Sequence, residues 1–211
     1  MTFLLGLTGS IGMGKSTTAQ MFADAGIPVW DADQTVHALY GPGGSAVAPV
    51  AALCPQAVDD RGGIDRAVLK RWIAQDRDAL ARIEAVVHPL VVADRAAFLQ
   101  AARSRGDSLV VMDIPLLFET GAERDLDAVL VVSAPLELQR KRVLDRPGMT
   151  EALFQGLLDK QLSDAEKRAR ADHVIETLDL DSARAEVGRL IHQLTRGAHA
   201  RTCDGYGNHR P

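Results

Sequence analysis

A chain of 211 residues with a net charge of −4 is sized for one α/β domain with insertions, and its acidic balance argues against a general nucleic-acid binder. Apolar residues make up 46% of it but aromatics only 4%, so aliphatic side chains and alanine must fill the core of a soluble globular protein. Cys54 and Cys203 fit no metal spacing and read as free thiols, no apolar run approaches a membrane span, and no basic leader precedes the first strand; a cytoplasmic protein without a membrane partner is expected.

The run Phe3–Leu7 is short and apolar, as a buried parallel strand should be. Gly9 to Ser16 then read Gly-Ser-Ile-Gly-Met-Gly-Lys-Ser, a complete Walker A phosphate loop. A helix-compatible stretch runs from Ser16 to Ala25 and stops at Gly26. Strand, glycine loop and helix together are the context this motif requires. Gly9, Gly12 and Gly14 allow the backbone N–H groups to curl around phosphate oxygens, and the helix beginning near Lys15 adds its positive end. Lys15 is expected to reach the β- and γ-phosphates, and the Ser16 hydroxyl to ligate Mg²⁺.

Strand-like runs follow at Ile27–Trp30, Leu109–Met112, Ala128–Val132 and His173–Ile175, with helical stretches between them. That alternation predicts a five-stranded parallel sheet with helices on both faces. Asp31-Ala-Asp33 closes the second run. In extended chain, residues two apart share a side, so both carboxylates could face the phosphates. A base or positioner for an acceptor hydroxyl, a support for the metal, and a cap for the next helix are all open readings of this pair.

The stretch from Trp30 to Leu109 is too long for one crossover and must hold an insertion. It reads as mostly helical. Asp65 can cap a helix carrying Val68, Leu69, Trp72 and Ile73 on one face. A second helix runs through Leu80, Ile83 and Val87 until His88-Pro89 interrupts it, and a third lasts to about Gly106. Asp113 then ends the third strand in the place of a Walker B acid, either holding a water on Mg²⁺ or simply solvated.

A second helical excursion follows Pro135. Arg140, Lys141, Arg142 and Arg146 crowd its first helix, as a flap that neutralises transferring phosphate or as a solvated basic face. Thr150 caps the next helix, and Ser163 with Glu166 forms a capping box. A last helix carries Ala183, Val187, Leu190, Ile191 and Leu194. From Gly197 the chain turns polar and reads as a flexible tail. No Asn-Lys-x-Asp segment for reading guanine is present.

Several segments together resemble the dephospho-CoA kinases. They are the opening Leu-Thr-Gly-Ser-Ile-Gly-Met-Gly-Lys-Ser-Thr, Asp31-Ala-Asp33, Ile64-Asp65-Arg66 with Leu69, and His88-Pro89. Further along come Ile114-Pro115-Leu116-Leu117-Phe118-Glu119, Gln139-x-x-Arg142-x-x-x-Arg146, Gln161 and Ala171-Asp172-His173-Val174-Ile175. They stand in that family's order and cover roughly residues 1 to 195.

The resemblance implies a P-loop NTPase-type three-layer α/β fold. Residues 1–34, 107–135 and 172–196 would form the nucleotide core, 35–106 a helical dephospho-CoA-binding insertion, 136–171 a lid and 197–211 the tail. It implies transfer of the γ-phosphoryl of ATP to the ribose 3′-hydroxyl of dephospho-CoA with Mg²⁺, by a monomer or weak homo-oligomer. Gly9, Gly12, Met13, Gly14, Lys15, Ser16, Thr17 and Arg146 would bind ATP. Asp33, Lys15 and Arg142 would be catalytic. Asp33, Arg66, His88 and Leu117 would accept dephospho-CoA, and Ser16 and Asp113 would hold the metal. Ser10, Ile73, Leu157 and Thr177 stand where the family often carries Gly, Phe, Arg and Asn. Other small-substrate P-loop kinases and a non-catalytic nucleotide switch are the rival readings.

Overall fold

The computed structural model describes the backbone of residues 1–203 and the side chains of residues 1–196. The chain divides into two compact units, one formed by Met1–Trp30 with the chain from Ala102 onward, the other by Asp31–Ala101.

The first unit is built on strands β1 (Phe3–Thr8), β2 (Val29–Asp31), β3 (Leu109–Asp113), β4 (Ala128–Ser133) and β5 (His173–Glu176), in the order β2-β3-β1-β4-β5. The pairings of β1 with β3, β1 with β4 and β4 with β5 are parallel. Two aspartates fix the register where strands begin. Asp127 accepts from the Leu4 N–H at 2.8 Å, and Asp172 accepts from the Val129 N–H at 2.8 Å.

The period of two sorts the strand residues between faces. Leu5, Leu7, Leu109, Val111, Leu130 and Val132 pack with Met21 and Phe22 of helix α1 (Lys15–Asp24) and with Ala183, Val187 and Leu190 of the last helix. Val129 and Val131 turn to the opposite face and bury Leu117 and Phe118. The three layers follow from that alternation.

The second unit is helical: α2 (Ala32–Tyr40), α3 (Val47–Leu53), α4 (Arg66–Gln75) and most of α5 (Ala79–Arg105). Its core gathers Val50, Ile64, Leu69, Ile83 and Val87, with Trp72 and Ile73 half-buried against them. Asp65 caps α4 as expected, its Oδ1 accepting from the Ala67 and Val68 N–H groups at 2.7 and 3.3 Å. The unit begins at Asp31 rather than residue 35, because α2 starts directly at the strand end.

Pro89 does not break its helix. α5 is one helix with Pro89 inside it. Proline removes the donor that the Ala85 carbonyl would have used, but both residues lie on the exposed side, where the carbonyl is open to solvent. By length and a mean hydropathy of 1.2, α5 is also apolar enough to cross a membrane, contrary to the sequence expectation. Ile83 and Val87 of this helix are buried in the unit's own core, while only 11% of its most apolar stretch is buried.

The second excursion gives α6 (Leu136–Leu144), α7 (Glu151–Leu158) and α8 (Asp164–Arg170), all within the first unit. Thr150 caps α7, and the Ser163–Glu166 capping box opens α8. The last helix, α9 (Leu180–Cys203), runs past Gly197, where the sequence suggests that the tail begins. Residues 204–211 lie outside the described residues.

Candidate active site

The phosphate loop leaves the carboxyl end of β1, between β3 and β4. Ligands in open α/β sheets gather at this edge. Its glycines are required for different reasons. Gly12 and Gly14 have φ of 79° and 90°, a region closed to most side chains. Gly9 does not, but a Cβ there would lie 2.6 Å from Val132 Cγ2 and 2.8 Å from the Val132 carbonyl oxygen.

Gly14 is the N-cap of α1, and no side chain caps this terminus. The first-turn N–H groups of Lys15, Ser16 and Thr17 are therefore of the kind that receives an anion. Ser16 and Thr17 are exposed, while Met13 is buried. Met13 shapes the loop: its N–H donates to the Ser10 carbonyl at 3.1 Å and its Sδ accepts from the Ala134 N–H at 3.0 Å.

Lys15 and Asp113 come together. Lys15 Nζ lies 2.5 Å from Asp113 Oδ1, and the aspartate side chain is only 1% exposed. The strand register explains the meeting, since Asp113 sits level with Leu7 on the neighbouring strand. A lysine–carboxylate pair beside an uncapped helix terminus is suited to receive phosphate oxygens and a hard cation together. Mg²⁺ takes few protein oxygens and completes its shell with water and phosphate. The exposed Ser16 hydroxyl and the Asp113 carboxylate fit that donor set.

The basic helix divides. Arg140 forms a two-point ion pair with Glu151, at 3.1 and 2.7 Å, on the solvent side. Arg142, on α6, and Arg146, which falls just past the helix end at Leu144 instead of on the same helix as the spacing suggests, both line a cavity of about 410 Å³ with Gly12, Gly14, Thr17 and Thr177. Arg142 Nη1 donates to Thr177 Oγ1 at 3.0 Å, and its Nη2 to the Thr177 carbonyl at 2.5 Å. The Thr177 hydroxyl in turn donates to the Met13 carbonyl at 2.8 Å. Thr177 is thus a buried link between the phosphate loop and the basic helix, a role that sequence reasoning did not see.

Gln139 and Gln161, both within the segments that carry the family resemblance, hold the phosphate loop. Gln139 Nε2 donates to the Ile11 carbonyl at 2.7 Å, and Gln161 Oε1 accepts from the Ile11 N–H at 3.1 Å. They grip one peptide residue of the loop from both sides. Only their long separation from Ile11 hid this.

The acceptor candidates fare differently. Asp33 is not on an extended segment. It stands exposed in the first turn of α2, while Asp31 is the cap and accepts from the Gln34 N–H at 2.9 Å. The period-two argument fails there because the helix starts one residue after Asp31. Arg66, at the start of α4, and His88, on α5, are both exposed. Burial raises the Tyr40 phenol above its usual range, and the nearby Arg66 charge offsets part of that rise. Leu117 is fully buried among Phe118, Val129 and Val131, so its side chain is core and the exposed member of that loop is Leu116.

Fold and site together define a P-loop kinase, an enzyme that moves a phosphoryl group from a nucleoside triphosphate. Comparison with known proteins narrows this. The sequence profile of dephospho-CoA kinases matches residues 3–181. The dephospho-CoA kinase of Cereibacter sphaeroides is 59% identical over 94% of this chain and 98% of its own. That of Jannaschia is 57% identical over 93% of this chain and all of its own. A crystal structure from Thermus thermophilus superposes with a TM-score of 0.73 at 33% identity, covering 98% of this chain and 99% of that one. The dephospho-CoA kinase from Campylobacter jejuni gives 0.71 at 25% identity, covering 93% and 99%. The chain belongs to the dephospho-CoA kinase family, which catalyses the ATP-dependent phosphorylation of dephospho-CoA, the final step of coenzyme A biosynthesis.

Proposed function

We propose that the first unit holds ATP by its phosphate loop and that Asp33 of the helical unit activates the acceptor, the ribose 3′-hydroxyl of dephospho-CoA. The Lys15–Asp113 pair beside the uncapped terminus of α1 is the observation that supports the ATP half of this reading, and the Asp33 half rests on the family resemblance of Asp31-Ala-Asp33. In the reading, incoming phosphate takes Lys15 away from Asp113, so that the ammonium neutralises the β- and γ-phosphates. Ser16 and Asp113 would hold Mg²⁺, which when bound supplies further charge neutralisation on those phosphates. The N–H groups at the start of α1 orient the triphosphate, and Arg142 and Arg146 add positive charge from the cavity wall.

An Asp33 carboxylate oxygen accepts the hydroxyl proton as the ribose oxygen bonds to the γ-phosphorus. The bond from that phosphorus to the β–γ bridging oxygen breaks, and ADP leaves. Arg66 and His88, exposed on the helical unit, are assigned to the acceptor. The loop at Leu117 can contribute to it only through backbone or through Leu116. The reading carries with it a cytoplasmic enzyme acting as a monomer or weak homo-oligomer.

Asp33→Asn tests the assignment. It keeps the shape and removes the basic oxygen. ATP and dephospho-CoA should still bind within a few-fold, while single-turnover transfer falls by about 10²–10⁴. Coupled ADP release, with and without dephospho-CoA, supplies the assay. Full recovery of the variant at high Mg²⁺ or with Mn²⁺ would make Asp33 a support for the metal instead of the base.

A further inference from the structure

Lys167 on α8 is wholly buried, with its Nζ 2.9 Å from Glu119 Oε1. A buried ion pair seldom stabilises more than apolar side chains of the same volume would, so its place in the core invites another explanation. Glu119 Oε1 accepts a second bond, from the Leu162 N–H at 2.8 Å. The adjacent Gln161 holds the Ile11 N–H of the phosphate loop. On the other side, the Thr8 hydroxyl donates to the Pro115 carbonyl at 3.0 Å. The contacts close a ring: phosphate loop to Gln161, Leu162 to Glu119, and back along the chain through Pro115 to Thr8. Arg170, one turn beyond Lys167, lies over the Phe118 ring at 4.6 Å and pairs with Glu123 at 2.7 Å, which seats the same loop against α8.

We propose that Glu119 and Lys167 are positioning residues: they hold the Gln161–Leu162 turn where Gln161 can fix the Ile11 amide, and so set the curvature of the loop that receives the triphosphate. The charge pair serves because one carboxylate oxygen must face an ammonium and accept a backbone N–H at the same place. An apolar pair could fill the volume but would leave Leu162 without its acceptor. The inference rests on the reading that this loop binds the phosphates of ATP.

The decisive variant is Glu119→Leu with Lys167→Met, which removes both charges and keeps the volume. Stability should fall by no more than the loss of the Leu162 hydrogen bond accounts for. The ATP dissociation constant, measured by calorimetry, should nonetheless rise by about five- to tenfold, the worth of one lost hydrogen bond. Gln161→Ala should match it, and adding Gln161→Ala to the pair variant should change little further. Should the pair variant not fold, Lys167→Met alone enters the same comparison with Gln161→Ala. Unchanged ATP affinity and turnover in the folded pair variant would overturn the proposal, as would effects that multiply in the combined variant, because both mean that the pair is a packing element only. Lys15→Ala, run beside these, isolates the underlying reading. If it retains normal ATP affinity and turnover, the phosphate assignment fails, whatever the coupling between Gln161 and the pair.

Discussion

Gly12→Ala perturbs the phosphate loop in two separable ways. Ala would have to occupy φ near 79°, and its Cβ would fall 2.5 Å from Val143 Cγ2 and 3.0 Å from the Gln139 carbonyl oxygen. The backbone strain costs about 1–3 kcal/mol, and the overpacking about 1–3 kcal/mol more, because a backbone carbonyl cannot swing aside. A total of about 2–6 kcal/mol corresponds to a fall in Tm of roughly 5–20 °C for a chain of this size. Gly26 supplies the control. Its φ is 80°, yet a Cβ there meets nothing within 4 Å, so Gly26→Ala should cost only the same strain, about 1–3 kcal/mol. Val143→Ala on the Gly12→Ala background should recover part of the packing cost, a coupling of about 1–3 kcal/mol. Urea unfolding of these three variants, of Val143→Ala alone and of the parent measures all of this. Equal losses at Gly12 and Gly26, or no coupling to Val143, would refute the claim that α6 closes on the loop through that glycine. Gly12→Ala should also weaken ATP binding, since α6 carries the cavity arginine Arg142 and leads into the other, Arg146.

Lys15→Ala should lower turnover by about 10²-fold or more, the scale of losing a fixed donor at developing charge. Near-normal kcat in the ADP-release assay would sink the phosphate-loop assignment. Arg142→Ala should depress kcat, and weaken ATP binding, more than it raises the KM for dephospho-CoA, because its guanidinium is braced on Thr177 in the cavity; a pure loss of acceptor affinity would move Arg142 to the other substrate. Glu119 makes a pH prediction. Burial alone would raise its carboxyl, but the Lys167 ammonium and the Leu162 N–H outweigh it and hold the group below the usual glutamate range. A lowered folded value means that the unfolded chain binds the proton more readily. The stabilisation is therefore full above the ordinary glutamate range and is lost as pH falls through the folded value. Glu119→Gln should remove that part of the acid dependence in a pH series of urea midpoints; an unchanged slope would contradict the ion pair.

The sequence by itself determined the phosphate loop, the strand–helix alternation and the capped helix starts at Asp65, Thr150 and Ser163. All of these depend on neighbours within a few residues, where backbone sterics and local hydrogen bonds decide the conformation. Local rules misled where two applied at once. Asp31 and Asp33 look like alternate residues of a strand, but Asp31 already caps the following helix. Pro89 looks like a break, yet its lost hydrogen bond falls on an exposed side of α5, where the freed carbonyl is open to solvent. Leu117 looked like a substrate residue from its motif, while the opposite face of the sheet claims its side chain. The clamp of Gln139 and Gln161 on Ile11, the link from Thr177 to Met13 and Arg142, and the Glu119–Lys167 pair were decided by tertiary structure alone. Each joins residues from 35 to 164 positions apart or sits between separate elements. No local spacing encodes such a contact. It exists because the parallel order β2-β3-β1-β4-β5 brings the ends of non-consecutive strands, and the helices that follow them, to one edge of the sheet.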